Sequence, residues 1–290
     1  MRNPWSELAP EPRYVLPCDC RGIASLNQRI AAKEESSAIN DQSIPEPFIG
    51  DPRSATVILL NLNPGDSAED PNTHRNPQFR EALLRNLRHE PQDCPFFALN
   101  PDFAWTGCGK WWRAHLRELL DKANLEPATV GRRLCVIEWF PYHSRNAKAL
   151  PRKPACPSQD YSFQLAKQAL ERKQLVVGMR ARKRWTDVDK RFASIPYLNN
   201  ARNPAISIRN AGESLFWQIV GALSEVPVVR SGSPLPFPPD VGCSRQQHNF
   251  SPLPSLGLAT TESKAPPTEP CGGLHGPTSV PPGVGECTVD

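Results

Sequence analysis

Residues 56–67 read TVILLNLNPGDS, an almost unbroken apolar run that stops at Asn-Pro-Gly. A run rich in Val, Ile and Leu is typical of a strand buried on both faces, as in a parallel sheet covered by helices. The carboxyl ends of such strands are where these folds bind ligands. There Asn63 would expose an amide, Pro64 would fix one φ angle and Gly65 would let a ligand approach the backbone. An ordinary strand-to-loop turn explains the same residues equally well.

Strand and helix patterns alternate beyond this stretch. Short apolar runs alternate with segments in which apolar residues recur at helical spacing, and Asp160 or Ser162 could cap one of those helices. The predicted strands are 56–62, 133–140, 174–179 and 194–200, and the predicted helices are 77–90, 110–125, 160–173, 180–192 and 212–225. This order predicts a three-layer α/β/α sandwich around a mainly parallel four-stranded sheet.

Composition divides the chain into three parts. Residues 229–290 hold 12 of the 33 prolines and no periodic apolar pattern, so we expect a disordered Pro-rich tail there. Residues 1–48 are polar and broken by prolines, which predicts an irregular N-terminal arm. The α/β domain is then expected at residues 49–228, and a chain with 39% apolar residues can form a core of that size.

Charge and cysteine content narrow the class of protein. Of the 34 basic and 30 acidic residues, three basic and five acidic ones lie after residue 228. The preceding part therefore carries 31 basic and 25 acidic groups, and this net charge of +6 is compatible with a polyanionic partner. Cys18 and Cys20 could contribute to a metal or iron-sulfur site with Cys94 and Cys108, but their spacing matches no specific pattern. We therefore expect no metal and no other cofactor.

No apolar run is long enough to span a membrane, and the N-terminus has no apolar signal-peptide core. The nine cysteines are odd in number and scattered, which favours free thiols in a reducing compartment. These features predict a cytoplasmic protein that contacts no membrane, and we expect it to be a monomer.

Four polar stretches follow the predicted strands and would converge on one edge of a parallel sheet. They are residues 63–66, 141–144, 180–184 and 199–210, the last reading NNARNPAISIRN.

The segments LNLNPG and NPAISIRN resemble the two signature loops of the uracil-DNA glycosylase superfamily, and they are most similar to its mismatch-specific uracil/thymine branch. The resemblance covers roughly residues 50–225. It implies DNA as the partner and a monofunctional glycosylase that hydrolyses the N-glycosidic bond of uracil or a related altered base, without a cofactor.

The resemblance also implies roles for particular residues. Asn63 matches the Asn that positions the water attacking the sugar, with Pro64 and Gly65 beside the base. Asn203 and Pro204 match the start of the second loop, which enters the minor groove of the duplex. Ile206 would fall at or next to the position of the wedge that fills the gap left by the flipped nucleotide, and Ser207 could bind a phosphate.

Other candidates follow from residue type and position. Asp66 is the nearest carboxylate and could act as a base. His143 could be a general acid or a phosphate donor, although an isolated histidine more often has a structural role. Tyr142 and Phe140 could stack on the base, although core packing is the simpler interpretation of Phe140. His74 is expected at the surface.

Six cations lie beside the proposed sheet edge: Arg180, Arg182, Lys183, Arg184, Arg202 and Arg209. Their position favours contacts with DNA phosphates, and a solvated surface explains the first four equally well.

Two departures from the family pattern keep alternatives open. Ala205 stands where the family usually has Ser, and the second strand ends in Glu138 and Trp139 where the best-known branch has the Asn that reads uracil. A non-catalytic nucleic-acid-binding protein of the same fold is therefore the alternative function. A nucleotide- or phosphate-binding α/β protein is a third, although the GxGxxG and GxxxxGK[ST] patterns are absent.

Overall fold

The computed structural model describes residues 2–31 and 38–224, and the predicted tail at 229–290 lies outside them. The strands are β1 (Phe48–Ile49), β2 (Val57–Asn61), β3 (Leu134–Glu138) and β4 (Leu175–Gly178). The α-helices are α1 (Cys20–Ala31), α2 (Asp70–Thr73), α3 (Pro77–Leu87), α4 (Gly107–Ala123), α5 (Pro127–Arg133), α6 (Gln159–Glu171), α7 (Arg182–Val188), α8 (Ile208–Ala211) and α9 (Glu213–Ser224). Within the described residues, no helix combines the length and apolarity needed to cross a membrane.

The strands form one mixed sheet in the order β1-β3-β2-β4. The central strand β2 runs parallel to both β3 and β4, whereas β1 pairs with β3 in the antiparallel sense. All residues of β2 and β3 are buried, as the apolar runs predict for strands inside an α/β fold. The α/β class with a mostly parallel four-stranded sheet is therefore confirmed. α6 packs against β2, β3 and β4, and α9 packs against β2.

Local sequence signals explain where the longest helix begins and ends. The hydroxyl of Thr106 accepts the amide hydrogen of Gly109 at 2.9 Å, which caps α4 at its N-terminus. Asn124 ends the helix in the left-handed conformation, with φ of 49°. Trp112, Leu116 and Leu119 recur at helical spacing and are buried. This interface holds α4 against the rest of the core.

The predicted strand at 194–200 is wrong, because it pairs with β4 at only one position. Tyr197 forms an isolated parallel bridge with Gly178, and the ladder does not extend. Pro196 has no amide hydrogen and so cannot donate to a longer ladder. The fourth strand is instead β1, at the opposite edge of the sheet. Gly178 also allows the close approach, since a Cβ there would lie 2.0 Å from the Tyr197 ring.

The N-terminal residues are more ordered than an irregular arm. Cys20–Ala31 is a helix, and both Trp5 and Tyr14 are buried in the same core as the sheet. Asp19 is fully buried and accepts the Tyr142 hydroxyl at 2.6 Å and the Ser158 amide at 3.0 Å. Ser158, and not Asp160 or Ser162, is the N-cap residue of α6, so the predicted cap is also wrong. The sequence did not indicate this order, because contacts such as those of Asp19 join residues far apart in the chain.

Candidate functional site

A cavity of about 270 Å³ lies where β2 and β3 end. Asn61 is the last residue of β2, Glu138 is the last residue of β3, and both line this cavity. Arg180 lies two residues after β4 and lines it too. Because the three strands are parallel, their carboxyl ends meet at one edge of the sheet. The cavity therefore occupies the position at which a ligand is expected.

The Asn-Pro-Gly loop forms one wall of the cavity. Asn63, Pro64 and Gly65 all line it, as the sequence predicted. The Asn63 side chain is 5% exposed, and its Nδ2 donates to the Ser144 hydroxyl at 3.1 Å and to the Pro64 carbonyl at 2.6 Å. Both hydrogen bonds come from the nitrogen, which leaves Oδ1 as the atom available to accept one.

His143 holds this loop in place. Its Nδ1 lies 2.6 Å from the carbonyl oxygen of Gly65, and its Nε2 lies 2.9 Å from the carbonyl oxygen of Ile44. Carbonyl oxygens can only accept, so each ring nitrogen lies where it can donate when it carries a proton. Oε1 of the buried Glu46 side chain lies 3.9 Å from Nε2. With both nitrogens occupied, His143 is not placed as a general acid or a phosphate donor, and this correction makes it a positioning residue.

Glu46, His74 and His143 form the one group of potential metal ligands found among the described residues. Their ligand atoms lie within 4.8 Å of one another. However, Nδ1 of His74 accepts the Ile44 amide at 2.9 Å, so its proton is on Nε2. Burial lowers the pKa of His74 well below its usual value, in agreement with a neutral ring. His74 thus has no lone pair on Nε2, and both ring nitrogens of His143 face carbonyl oxygens. The arrangement therefore fits a hydrogen-bonded network better than a metal site. Cys18, Cys20, Cys94 and Cys108 are not in this group.

Asn61 and Glu138 form a second buried polar group. They are register partners across β2 and β3, and Nδ2 of Asn61 donates to Oε1 of Glu138 at 2.9 Å. Among the described residues, Oδ1 of Asn61 and Oε2 of Glu138 have no hydrogen-bond partner. Burial raises the pKa of Glu138 to about 8, against the opposing effects of Asn61 and Arg180. Burial likewise raises the pKa of Glu46 to about 7.

Aromatic rings form the apolar part of the lining, which includes Phe79, Trp111 and Trp112. Trp111 stacks on His115 with 3.7 Å between ring centres, and the guanidinium carbon of Arg180 lies 5.8 Å from the Trp111 ring centre. Arg180 also donates to the carbonyls of Ala201 and Arg202. These contacts connect the cavity wall to the second loop, at residues 199–210.

No protein-family model, curated protein or solved structure matches this chain.

The second loop is not arranged as the resemblance implies. Ile206 is fully buried and its amide donates to the His115 carbonyl, so the predicted protruding wedge is wrong in this conformation. Ser207 caps the short helix α8 by accepting the Asn210 amide. Pro204 is buried, whereas Asn203 is exposed, and neither lines the cavity.

Two predicted stacking residues belong to the core. Phe140 and Tyr142 are both 0% exposed and do not line the cavity. The core interpretation of Phe140 is confirmed, and base stacking by either ring is wrong. The Tyr142 hydroxyl is used to bind Asp19. Asp66 does line the cavity, but its oxygens accept from Asn40 at 2.6 Å and from Arg145 at 3.2 Å.

The predicted phosphate-binding cations point in several directions. Arg182 lies over the Tyr197 ring at 4.8 Å, and Arg184 lies over the Trp139 ring at 5.1 Å. Lys183 is exposed and pairs with Asp187 of the same helix at 3.2 Å. Exposed cations are also present on the second loop and its short helix, at Arg202 and Arg209.

Several cavity residues carried no recognisable sequence signal. Glu46 lies in the N-terminal segment assigned as irregular, and His74 is 2% exposed, so its predicted surface position is wrong. Asp70 and Cys108 also line the cavity, at or near helix starts. Glu138 was recognised only as a departure from the family pattern. A buried carboxylate in an apolar run, as in LCVIEWF, is the one signal that could have indicated it.

Proposed function

We propose that this chain is a monofunctional DNA glycosylase that hydrolyses the N-glycosidic bond of uracil or a related altered base. The observation that carries the proposal is the position of Asn63. This residue lies in an Asn-Pro-Gly loop that follows a central parallel strand, and it lines a cavity with both aromatic and buried polar walls. This combination agrees with the role that the resemblance implies for it.

The cavity suits a single base removed from the stack. Its volume of about 270 Å³ lies just below the range of roughly 300–1,000 Å³ found for drug-sized ligands. Flipping a nucleotide costs a few kcal/mol, and contact with the half-buried ring of Trp111 would offset part of that cost. The base would be bound by the buried end of the cavity, with its sugar towards the Asn-Pro-Gly loop.

In the reaction, Oδ1 of Asn63 would accept a hydrogen bond from water and orient its oxygen towards C1′ of the sugar. A bond forms between that oxygen and C1′, and the bond from C1′ to the base nitrogen breaks with its electron pair on the base. An amide cannot take the proton, so the water proton passes to solvent or to the departing base. The carboxylates of Asp66 and Asp70 would stabilise the positive charge that develops on the sugar.

DNA is the proposed partner, and its phosphates would contact exposed cations near the second loop. Arg202 and Arg209 are exposed, and Arg180 joins that loop to the cavity wall. We further propose that the protein acts in the cytoplasm as a monomer and needs no cofactor.

The test is incubation of the full chain with labelled duplexes containing U·G, U·A, T·G or hypoxanthine, followed by alkaline cleavage of abasic sites. Strand cleavage by the wild type that is lost in Asn63→Ala, with duplex binding retained, would support the proposal. Absence of base release from every duplex and from single-stranded uracil DNA would contradict it.

A non-catalytic DNA-binding protein is the second candidate. It is favoured by the pairing of Asp66 with Arg145 and Asn40, because this pairing leaves the nearest carboxylate without freedom to act as a base. Salt-sensitive duplex binding that produces no abasic site and is unchanged by Asn63→Ala would select this function.

A further inference from the structure

The chain between β3 and α6 carries four cations within nine residues, at 145–153, which read RNAKALPRK. No Asp or Glu occurs between residues 139 and 159. Lys148, Arg152 and Lys153 are exposed, and within the described residues none of them forms an ion pair with an acidic side chain. Residues 145–153, here called the basic connection, therefore present positive charge that the protein itself does not neutralise.

The basic connection begins at the cavity. Ser144, directly before it, accepts from Nδ2 of Asn63 at 3.1 Å, and Nε of Arg145 lies 3.2 Å from Oδ2 of Asp66. Asn63 and Asp66 both line the cavity. Since a chain extends by at most about 3.6 Å per residue, the Cα atoms of the remaining cations lie within roughly 30 Å of Arg145. That distance is the axial length of about nine nucleotides of one DNA strand.

The backbone of the basic connection is held in place. Leu150 is buried, and its carbonyl accepts from Nη2 of Arg184 at 3.2 Å. Pro151 and Pro154 flank the last two cations, and each fixes one φ angle. A restrained backbone loses less conformational entropy when its side chains bind a partner. This distinguishes the basic connection from a freely solvated charged loop.

Two guanidinium groups lie close together where the basic connection meets α7. Burial lowers the pKa of Arg184, and the positive charge of Arg152 acts in the same direction. Within the described residues, Arg184 forms no ion pair with an acidic side chain, and its guanidinium lies over the Trp139 ring at 5.1 Å. Neighbouring cations repel each other when no carboxylate lies between them, so an anionic partner would relieve this repulsion.

We propose that the basic connection binds backbone phosphates of the DNA duplex beside the nucleotide that enters the cavity. This inference rests on the proposed function and adds a second DNA-contacting surface to it. The second loop packs on α4 through the Ile206 amide and the His115 carbonyl, whereas the basic connection packs on α7 through Leu150. Different helices thus support the two surfaces. Phosphate contacts carry no sequence information, so this surface positions the duplex and does not select the base.

The test compares two matched variants of the full chain, Arg152→Gln/Lys153→Gln and Arg172→Gln/Lys173→Gln. Each replaces two adjacent exposed cations, so both change the net charge equally. Arg172 and Lys173 lie between the end of α6 and the amino end of β4, at the sheet edge away from the cavity. Thermal unfolding would verify that both variants are folded.

Fluorescence anisotropy with a duplex that contains no altered base measures affinity at several salt concentrations. We expect Arg152→Gln/Lys153→Gln to bind roughly fivefold or more weakly than the wild type at about 0.1 M salt. The slope of its log affinity against log salt should fall by up to about 2, because up to two phosphates are no longer neutralised. Arg172→Gln/Lys173→Gln should bind nearly as the wild type does.

A neutral phosphate tests direct contact. Uracil duplexes would each carry one methylphosphonate, at successive positions within about nine nucleotides of the uracil. All proteins in this experiment carry Asn63→Ala, so that the base stays attached. At one or more positions, the methylphosphonate should weaken binding roughly threefold or more without further substitutions, but not with Arg152→Gln/Lys153→Gln added. The lost phosphate charge and the lost cations would then belong to one contact.

Equal affinities of the two double variants, or equal responses to every methylphosphonate, would overturn the inference. A loss of affinity that is seen with RNA duplexes and not with DNA would also overturn it. The base-release assay separates this result from the proposed function. Selective loss of DNA binding without base release by the wild type supports the surface and contradicts the glycosylase. Base release by the wild type with equal DNA binding of the two double variants supports the glycosylase and overturns the surface. A wild type that binds no duplex contradicts both.

Discussion

Nδ1 of His143 lies 2.6 Å from the carbonyl oxygen of Gly65, and this hydrogen bond joins the segment after β3 to the Asn-Pro-Gly loop after β2. Nε2 of the same ring lies 2.9 Å from the carbonyl oxygen of Ile44, which precedes β1. One buried ring therefore connects three separate segments. The position of Asn63, two residues before Gly65, depends on it.

Replacing His143 with Ala should impair base release more than duplex binding. The change leaves two carbonyls without donors and frees the loop, so we expect kcat/KM for base release to fall at least tenfold. The free energy of unfolding should fall by about 2–3 kcal/mol. The control is His89→Ala, which removes a ring stacked on Phe48. A His143 variant that is folded and fully active would contradict the positioning role.

Removing the Ser144 hydroxyl should misorient the Asn63 amide. Nδ2 of Asn63 would keep only its bond to the Pro64 carbonyl, so Oδ1 would hold the attacking water less precisely. We expect Ser144→Ala to lower the rate of base release about tenfold, which is less than the loss in Asn63→Ala. The matched control is Ser162→Ala, since the hydroxyl of this buried serine has no partner within the described part of the chain. Single-turnover rates that are equal in both variants would exclude the proposed orientation.

The sequence predicted the elements whose signals are local. The strands β2, β3 and β4 and the helices α3, α4, α6 and α9 follow from apolar periodicity, which depends only on neighbouring residues. The Asn-Pro-Gly loop was placed at a ligand site because parallel strands carry their sites at their carboxyl ends. Asn63, Gly65, Asp66 and Arg180 accordingly line one cavity.

The remaining features depend on contacts between distant residues. Glu46 reaches the cavity only because its segment packs beside His143, 97 positions further along the chain. Ile206 is an apolar residue in a polar loop, and sequence alone cannot distinguish a wedge from a core residue there. The fold decides for the core, at 0% exposed. Similarly, the N-terminal segment is joined to the core by long-range contacts, such as those of the Asp19 carboxylate with Tyr142 and Ser158.

The stability of the protein should depend on the protonation of Glu138. Its pKa rises from an ordinary value near 4.5 to about 8 on folding, so the folded state binds its proton more tightly. Between about pH 4.5 and pH 8 the unfolded state releases this proton whereas the folded state retains it. The free energy of unfolding therefore falls as the pH rises. Gln does not titrate, so Glu138→Gln should become more stable relative to the wild type by up to a few kcal/mol between pH 5 and pH 8.

Urea unfolding at several pH values would measure this difference. Glu46→Gln is the companion variant, because the pKa of Glu46 rises only to about 7. The gain in free energy of unfolding relative to the wild type should therefore be smaller in this variant and should end at a lower pH. A difference in free energy of unfolding between Glu138→Gln and the wild type that stays constant from pH 5 to pH 8 would contradict a protonated Glu138.

Tyr142→Phe should loosen the N-terminal segment. The hydroxyl donates to the buried carboxylate of Asp19 at 2.6 Å and accepts the Leu16 amide at 3.3 Å. Its removal leaves both groups without this partner in the core, and we expect a destabilisation of about 2–3 kcal/mol in urea unfolding. The matched control is Tyr197→Phe, because the Tyr197 hydroxyl belongs to a half-buried ring and donates to the Phe192 carbonyl at 3.1 Å, so the cost of its loss should be smaller. Equal stabilities of the two variants would contradict the importance of the Tyr142 hydroxyl.

Arg202 and Arg209 should contribute to DNA affinity through phosphates. Both are exposed, and neither has an ion pair with an acidic side chain within the described residues. For each phosphate that a variant no longer neutralises, the slope of log affinity against log salt should fall by about 0.9 for duplex DNA. The double variant Arg202→Ala/Arg209→Ala should therefore bind all duplexes more weakly, with a slope reduced by up to about 2.

The control for this experiment is Lys183→Ala, since Lys183 pairs with Asp187 and should contribute less to DNA binding. Fluorescence anisotropy at several salt concentrations gives both the affinity and the slope. An unchanged slope in the double variant, with the same affinity as the wild type, would place the DNA-binding surface away from the second loop. A weakening confined to uracil-containing duplexes would instead mean that these arginines contact the flipped nucleotide.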